Sequence, residues 1–146
     1  MKQGFVKVAA ASCAVAVADV RENTRVILET IHKMEDEGAK VMVLPELALT
    51  GYTCSDLFWQ SQMIDAAKEG LKEIADGTKG TDALIFVGLP WEQGGKLFNV
   101  AAVLCHGELL GVVPKKYLPN YNEFYELRHF TPGKEAVTTT EFFGKE

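Results

Sequence analysis

Val41-Met42-Val43-Leu44-Pro45-Glu46-Leu47-Ala48-Leu49-Thr50-Gly51-Tyr52 runs from an unbroken apolar stretch into a proline and then directly to a carboxylate. The run from Val41 to Leu44 reads as a short central strand buried on both faces, and Pro45, which lacks the N–H that a ladder needs, stops it. A carboxylate standing just beyond such a strand is costly to desolvate unless a cation lies near it, so a partner for Glu46 is expected. On this evidence Glu46 is either an acid–base group or a cap or ion-pair member.

Outward from this strand the pattern alternates. Upstream, Phe5 to Val15 is rich in valine and alanine and reads as a mostly buried strand. Asp19 follows as an N-cap with Glu22 three residues on. Val26, Ile27, Ile31 and Met34 then recur at helical spacing until Gly38. Downstream of a loop from Leu47 to Cys54, a second amphipathic helix is expected from Ser55 or Asp56 to about Ala75. It would turn Leu57, Met63, Ile64, Ala67, Leu71 and Ile74 inward and end at Gly77 and Gly80, despite Gly70 in its interior. Ala83 to Val87 is a further strand closed by Gly88 and Pro90. After a polar turn, Glu92 to Lys96, Leu97 to Cys105 returns as its hairpin partner. Leu109 to Val113 follows the turn His106-Gly107 and stops at Pro114, with Lys115 just past it. Strand, helix, strand, helix and three strands predict an α/β layered domain, a βαβ start followed by antiparallel hairpins, with no internal repeat. Tyr117 to Gly133 is rich in Pro, Asn, Tyr and charge, a length and composition typical of a functional loop.

Composition narrows the function. A chain of 146 residues that is 47% hydrophobic and 24% charged is a folded globular domain rather than a disordered one. The net charge of −5 comes with no basic cluster interleaved with aromatics, so no nucleic-acid partner is expected. Asp19, Lys40, Glu46 and Asp82 interrupt the apolar stretches well short of the roughly 20 residues that span a bilayer. No signal-peptide cleavage site is evident, so the expectation is no membrane association and a cytoplasmic location. Cys13, Cys54 and Cys105 are odd in number and contain no C-x-x-C, which argues against a disulfide framework and a zinc site and for a reducing compartment.

Lys115 and Lys116 are adjacent, so one is expected to point into a site and the other to be solvated, with the residue next to the proline the better candidate. The surroundings of Glu46 and Lys115 go further. Pro45 to Tyr52 and Pro114-Lys115-Lys116-Tyr117-Leu118-Pro119-Asn120-Tyr121-Asn122-Glu123-Phe124-Tyr125-Glu126 resemble the nitrilase superfamily of carbon-nitrogen hydrolases. Arg128-His129-Phe130-Thr131-Pro132-Gly133 and Gly51-Tyr52-Thr53-Cys54-Ser55-Asp56-Leu57-Phe58 resemble its glutaminase branch, the N-terminal amidase domain of glutamine-dependent NAD synthetases. The resemblance covers essentially the whole chain. It implies a four-layer αββα sandwich, of which residues 1–146 would be the N-terminal part. It also implies a Cys-Glu-Lys triad that hydrolyses glutamine to glutamate and ammonia, the ammonia serving to amidate deamido-NAD. Glu46 matches the general base and Lys115 the cation beside the reacting carbonyl. Glu123 matches a further carboxylate that orients lysine and substrate, and Tyr121 and Phe124 match the wall of the glutamine pocket.

One member of that triad is missing, because no cysteine follows Lys115. Cys13 and Cys105 lie in apolar segments where thiols are inert, and Cys54 reads as structural. Phe142-Phe143-Gly144-Lys145-Glu146 reads as a turn about to enter another strand, so the chain is expected to be the front of a longer domain and inactive alone. Neither an S-G-G-x-D-S loop nor a G-x-x-x-x-G-K-[ST] loop occurs. No cofactor is therefore expected in this chain, and ATP and Mg are expected only in an absent synthetase domain. Glutamine, that downstream domain and further copies meeting through helical faces are the expected partners. The alternatives are a stand-alone nitrilase-family amidase or carbamoylase, or a binding module without a nucleophile.

Overall fold

A computed structural model describes residues 4–144. The strands β1 (Val8–Ala10), β2 (Val41–Val43), β3 (Leu84–Gln93), β4 (Lys96–Cys105) and β5 (Glu108–Pro114) form one sheet in chain order. β1, β2 and β3 are mutually parallel, and β4 and β5 return antiparallel as hairpins. The long crossovers that parallel pairing requires are α1 (Val20–Asp36) and α2 (Ser61–Gly77). Asp19 caps α1 by accepting the Glu22 N–H at 3.1 Å, and Gly38 at φ +82° lets the chain leave it.

Both helices lie on the same face of the sheet. Ile27 and Ile31 of α1 and Ala67, Leu71 and Ile74 of α2 pack on Met42, Ile85, Val87, Leu89, Val100, Ala102 and Leu104, which are alternate residues of the strands. Gly70 sits where the helices meet, and a Cβ there would stand 2.6 Å from Thr24 Oγ1. The helix tolerates its entropic cost because no larger residue fits that contact.

The other face of the sheet is open, and this explains where strand burial departs from expectation. β2 is central, yet only Met42 is buried; Val43 is 44% exposed because its side chain points away from the helices. Likewise β1 covers three residues of the expected Phe5–Val15 strand and is largely exposed, with residues beyond Ala11 irregular. Leu84 and Val113 complete this uncovered apolar face. Two boundaries also differ. Ser55–Trp59 is a separate 3₁₀ turn ahead of α2, which leaves Leu57 exposed rather than inward. β3 runs straight through Gly88 and Pro90. The carbonyls of Phe86 and Gly88 accept from Leu44 and Leu49 on the β2 side, so by alternation Pro90 turns its missing N–H to that same side, where the ladder with β2 has ended. The turn expected at the C-terminal end includes Phe142 to Gly144; Lys145 and Glu146 lie outside the described residues.

Candidate active site

Leu44 still donates to the sheet through Phe86 O at 3.0 Å, and then Pro45 turns the chain over β3. Leu49 N reaches back to Gly88 O at 3.2 Å, which closes a tight loop around Glu46. Gly88 lies directly beneath it: a Cβ there would be 2.5 Å from both Leu47 N and Pro45 O. Leu47 holds φ +50°, an unusual value for a branched residue, and is pinned by complete burial in a small cluster with Cys54, Phe58, Met63 and Phe130. Strain beside Glu46 is thus sustained by packing.

Lys115 is anchored through its backbone. Its N–H donates to Asn99 O at 2.8 Å and its carbonyl accepts from Gly133 N at 2.9 Å, so the returning Pro132-Gly133 segment straps it to β4. Gly133 is tight for the same reason, since a Cβ would meet Pro114 O at 2.7 Å. From this anchor Lys115 Nζ donates to Glu46 Oε1 at 2.7 Å and to Glu126 Oε1 at 2.9 Å. Tyr52 OH donates to the same Glu126 oxygen at 2.7 Å, and Asn99 Nδ2 donates to Glu46 Oε1. Glu126 is only 4% exposed, whereas the Glu46 and Lys115 side chains are 43% and 28% exposed. The pair therefore opens to solvent on one side and rests on a buried carboxylate on the other. Beside it lies an apolar depression of about 520 Å³, lined by Val43, Pro45, Phe86, Gly88, Ala101 and Val113, within the size range of small-molecule sites.

Two groups hold their protons more firmly here than in water. Burial pulls the Lys115 ammonium down, but the hydrogen bonds and charges of Glu46 and Glu126 outweigh it and leave its pKa raised. Burial, then the hydrogen bond and charge of Glu126, push the Tyr52 phenol well above its usual range. Both are raised shifts, so their stabilisation is complete below the unfolded values of about 10 and is lost as pH climbs through the folded ones. A tyrosinate titration followed by ultraviolet absorbance tests this: the difference between wild type and Tyr52→Phe should appear at lower pH in a Glu126→Gln background. An unchanged position would contradict the coupling.

Glu46 and Lys115, separated by 69 residues in sequence, are brought together. Glu123 is not the carboxylate at the lysine. Among the described residues Lys115 pairs with Glu46 and Glu126, while Glu123 is exposed one turn earlier, because the 3₁₀ turn Glu126–Arg128 directs Glu126 inward. Tyr121 and Phe124 stand edge to face at 5.7 Å, and Phe124 meets Tyr52 at 6.4 Å, forming an aromatic rim that leads to Glu126. Arg128 bonds Asp56 at 2.8 Å and ties this loop to the Ser55–Trp59 turn. Sequence reasoning missed Glu126, Tyr52 and Asn99. Asn99 carried a signal as a polar side chain amid the apolar run of β4, and Tyr52 and Glu126 lay within the segments that carry the family resemblance but were given no role.

The thiols stand apart from this cluster. Cys54 is buried and donates to Thr50 O and Gly51 O at 3.0 and 3.3 Å, and burial pushes its pKa up, the reverse of what a nucleophile needs. Cys13 lies past β1, partly buried, with Sγ 3.5 Å from Thr30 Oγ1, and Cys105 closes β4. Among the described residues no group of three or more His, Cys, Asp or Glu could hold a metal ion, and no helix is long and apolar enough to cross a membrane.

Residues 7–143 match the family model for carbon-nitrogen hydrolases. The glutamine-dependent NAD(+) synthetase of Mycobacterium tuberculosis is 36% identical over 145 residues, 99% of this chain and 21% of that protein. The crystal structure of a glutamine-dependent NAD(+) synthetase from Cytophaga hutchinsonii superposes with a TM-score of 0.87 at 31% identity, over 93% of this chain and 23% of the other. An amidase from Nesterenkonia sp. shares the fold with a TM-score of 0.76 at 24% identity, over 92% of this chain and 51% of its own. The chain thus spans about a fifth of the length of the curated relatives it matches.

Proposed function

The chain belongs to the carbon-nitrogen hydrolase family, and from that premise we propose that it is the N-terminal part of a glutaminase domain feeding ammonia to a synthetase that amidates deamido-NAD. The contact of Glu46, Lys115 and Glu126 across three loops is the observation that carries this reading. The relatives that match nearly the whole chain support the choice of glutamine.

In this reading a cysteine from sequence beyond Glu146 completes a Cys-Glu-Lys triad. Thiols attack amides as thiolates, so Glu46 takes the thiol proton, returns one to the departing ammonia, and then activates water against the thioester. As the carbonyl carbon becomes tetrahedral its oxygen gains charge, and the Lys115 ammonium offsets that charge by roughly 3 kcal/mol. Glu126, with Tyr52 behind it, keeps Lys115 protonated and aimed. Tyr121 and Phe124 wall the glutamine site, with Glu123 at its rim. The intact protein works in the cytoplasm as an oligomer, with ATP and Mg bound by the synthetase domain alone.

The 146-residue chain should release no ammonia from glutamine above background, and Cys54→Ser should change nothing. The reading frame past Glu146 should encode a cysteine and an ATP-binding synthetase. Ammonia release by the chain that disappears in Cys54→Ser would overturn the placement of the nucleophile. A frame lacking a synthetase would favour a stand-alone amidase.

A further inference from the structure

Asn99 is the one buried polar side chain of β4, 3% exposed, and it reaches both halves of the site. Its carboxamide Nδ2 donates to Glu46 Oε1, and its backbone carbonyl accepts the Lys115 N–H at 2.8 Å. The opposing residue in β3 is Pro90, next but one to Gly88, over which the Glu46 loop folds. A single strand position thereby sets the rotamer of the carboxylate and the anchor of the ammonium. The two side-chain donors also converge on one atom, since Lys115 Nζ reaches the same Oε1.

We propose that Asn99 is the positioning residue of this site, and that by occupying Oε1 together with Lys115 it reserves Oε2 of Glu46 as the oxygen that takes and returns the proton. An ionised carboxylate accepts at both oxygens, and donors fixed on one of them bias protonation to the other. Without the amide, Glu46 is free to rotate about its side-chain torsions, and Lys115 alone would hold it by a single exposed ion pair, a weak restraint. This rests on the acid–base role given to Glu46 above.

Nuclear magnetic resonance of the 146-residue chain labelled at asparagine side-chain nitrogen tests it, with Asn99→Leu to assign the signal. The Asn99 amide pair should move in one step as the carboxylates are protonated, and that step should be lost in Glu46→Gln. Its protons should stay slow to exchange on the acid side of the step, because a proton on Oε2 leaves the bond to Oε1 in place. With glutamate labelled at its side-chain carbons, Glu46 should sample several rotamers in Asn99→Leu, and equally in the isosteric Asn99→Asp, while the Lys115 ammonium stays held by its bond to Glu126. A titration step that survives in Glu46→Gln, exchange that accelerates when Glu46 is protonated, or a single fixed Glu46 rotamer in both Asn99 variants would overturn the proposal. None of these signals requires turnover, so an intact protein that fails to hydrolyse glutamine would remove the catalytic reading and leave them unaltered.

Discussion

Lys115→Met should lower the unfolding free energy of this chain by about 3 kcal/mol, the scale expected when one partner of a buried ion pair is removed. The loss is assigned to the Glu126 side of the network. Glu126 is 4% exposed and, among the described residues, would keep only the Tyr52 hydroxyl on Oε1, its Oε2 accepting no hydrogen bond from any of them. The arm to Glu46 contributes little, since that carboxylate is 43% exposed and water can replace the lysine. Two further results follow from this assignment. Glu126→Gln placed on top of Lys115→Met should restore much of the loss, a coupling that a double-mutant cycle reads directly. The stability that wild type loses as pH rises above the unfolded lysine value of about 10.4 should be smaller in the variant, because the raised Lys115 pKa is one source of it. Urea midpoints at unchanged m-value provide the measurement. A loss below about 1 kcal/mol, as for an exposed pair, would show that Glu126 does not depend on the lysine.

Gly88→Ala should be nearly as costly, about 2 to 3 kcal/mol, through overpacking against atoms that cannot rotate away. The obstructing atoms, Leu47 N and Pro45 O at 2.5 Å, belong to the backbone on either side of Glu46. Relief requires lifting that loop off β3, which breaks the bond from Leu49 N to Gly88 O and withdraws Glu46 from Lys115. Gly111→Ala is the control: it also lies within a strand, and a Cβ there meets nothing within 4 Å. That variant should be neutral or slightly stabilised, because alanine loses less backbone freedom on folding. Equal effects at the two glycines would show that strand entropy, and not the crossing loop, explains Gly88.

The order of elements was legible in the sequence because helical spacing in α1 and α2, glycines at the helix ends and prolines at the ends of β2 and β5 are local signals. Burial was less legible. An apolar run such as Val41 to Leu44 looks the same whether one face of a sheet is covered or both, and here the side without helices leaves Val43 and Val113 exposed. Pro90 was read as a strand breaker because a missing donor is visible in sequence, while the side to which it points depends on register. In the site, Glu46 and Lys115 were legible as residues just past strand ends, and their flanking segments pointed to the carbon-nitrogen hydrolase family to which the chain belongs. Glu123 and Glu126 differ by three positions in one loop, and only the 3₁₀ turn decides which carboxylate enters; no pattern of residue types could have separated them. Tyr52 acquires its role through a contact 74 residues away. Such long-range pairings are products of the fold, and local sequence does not encode them.

The most direct test of the glutaminase assignment is ammonia release from glutamine by the intact protein that contains this chain, compared with its Glu46→Gln and Lys115→Met variants at saturating glutamine. The wild type should turn over, and each variant should lose at least roughly a hundredfold in kcat, the scale of a deleted general base or oxyanion partner. Variants that retain wild-type kcat would contradict the account, because the ion pair at the ends of β2 and β5 would then be structural alone.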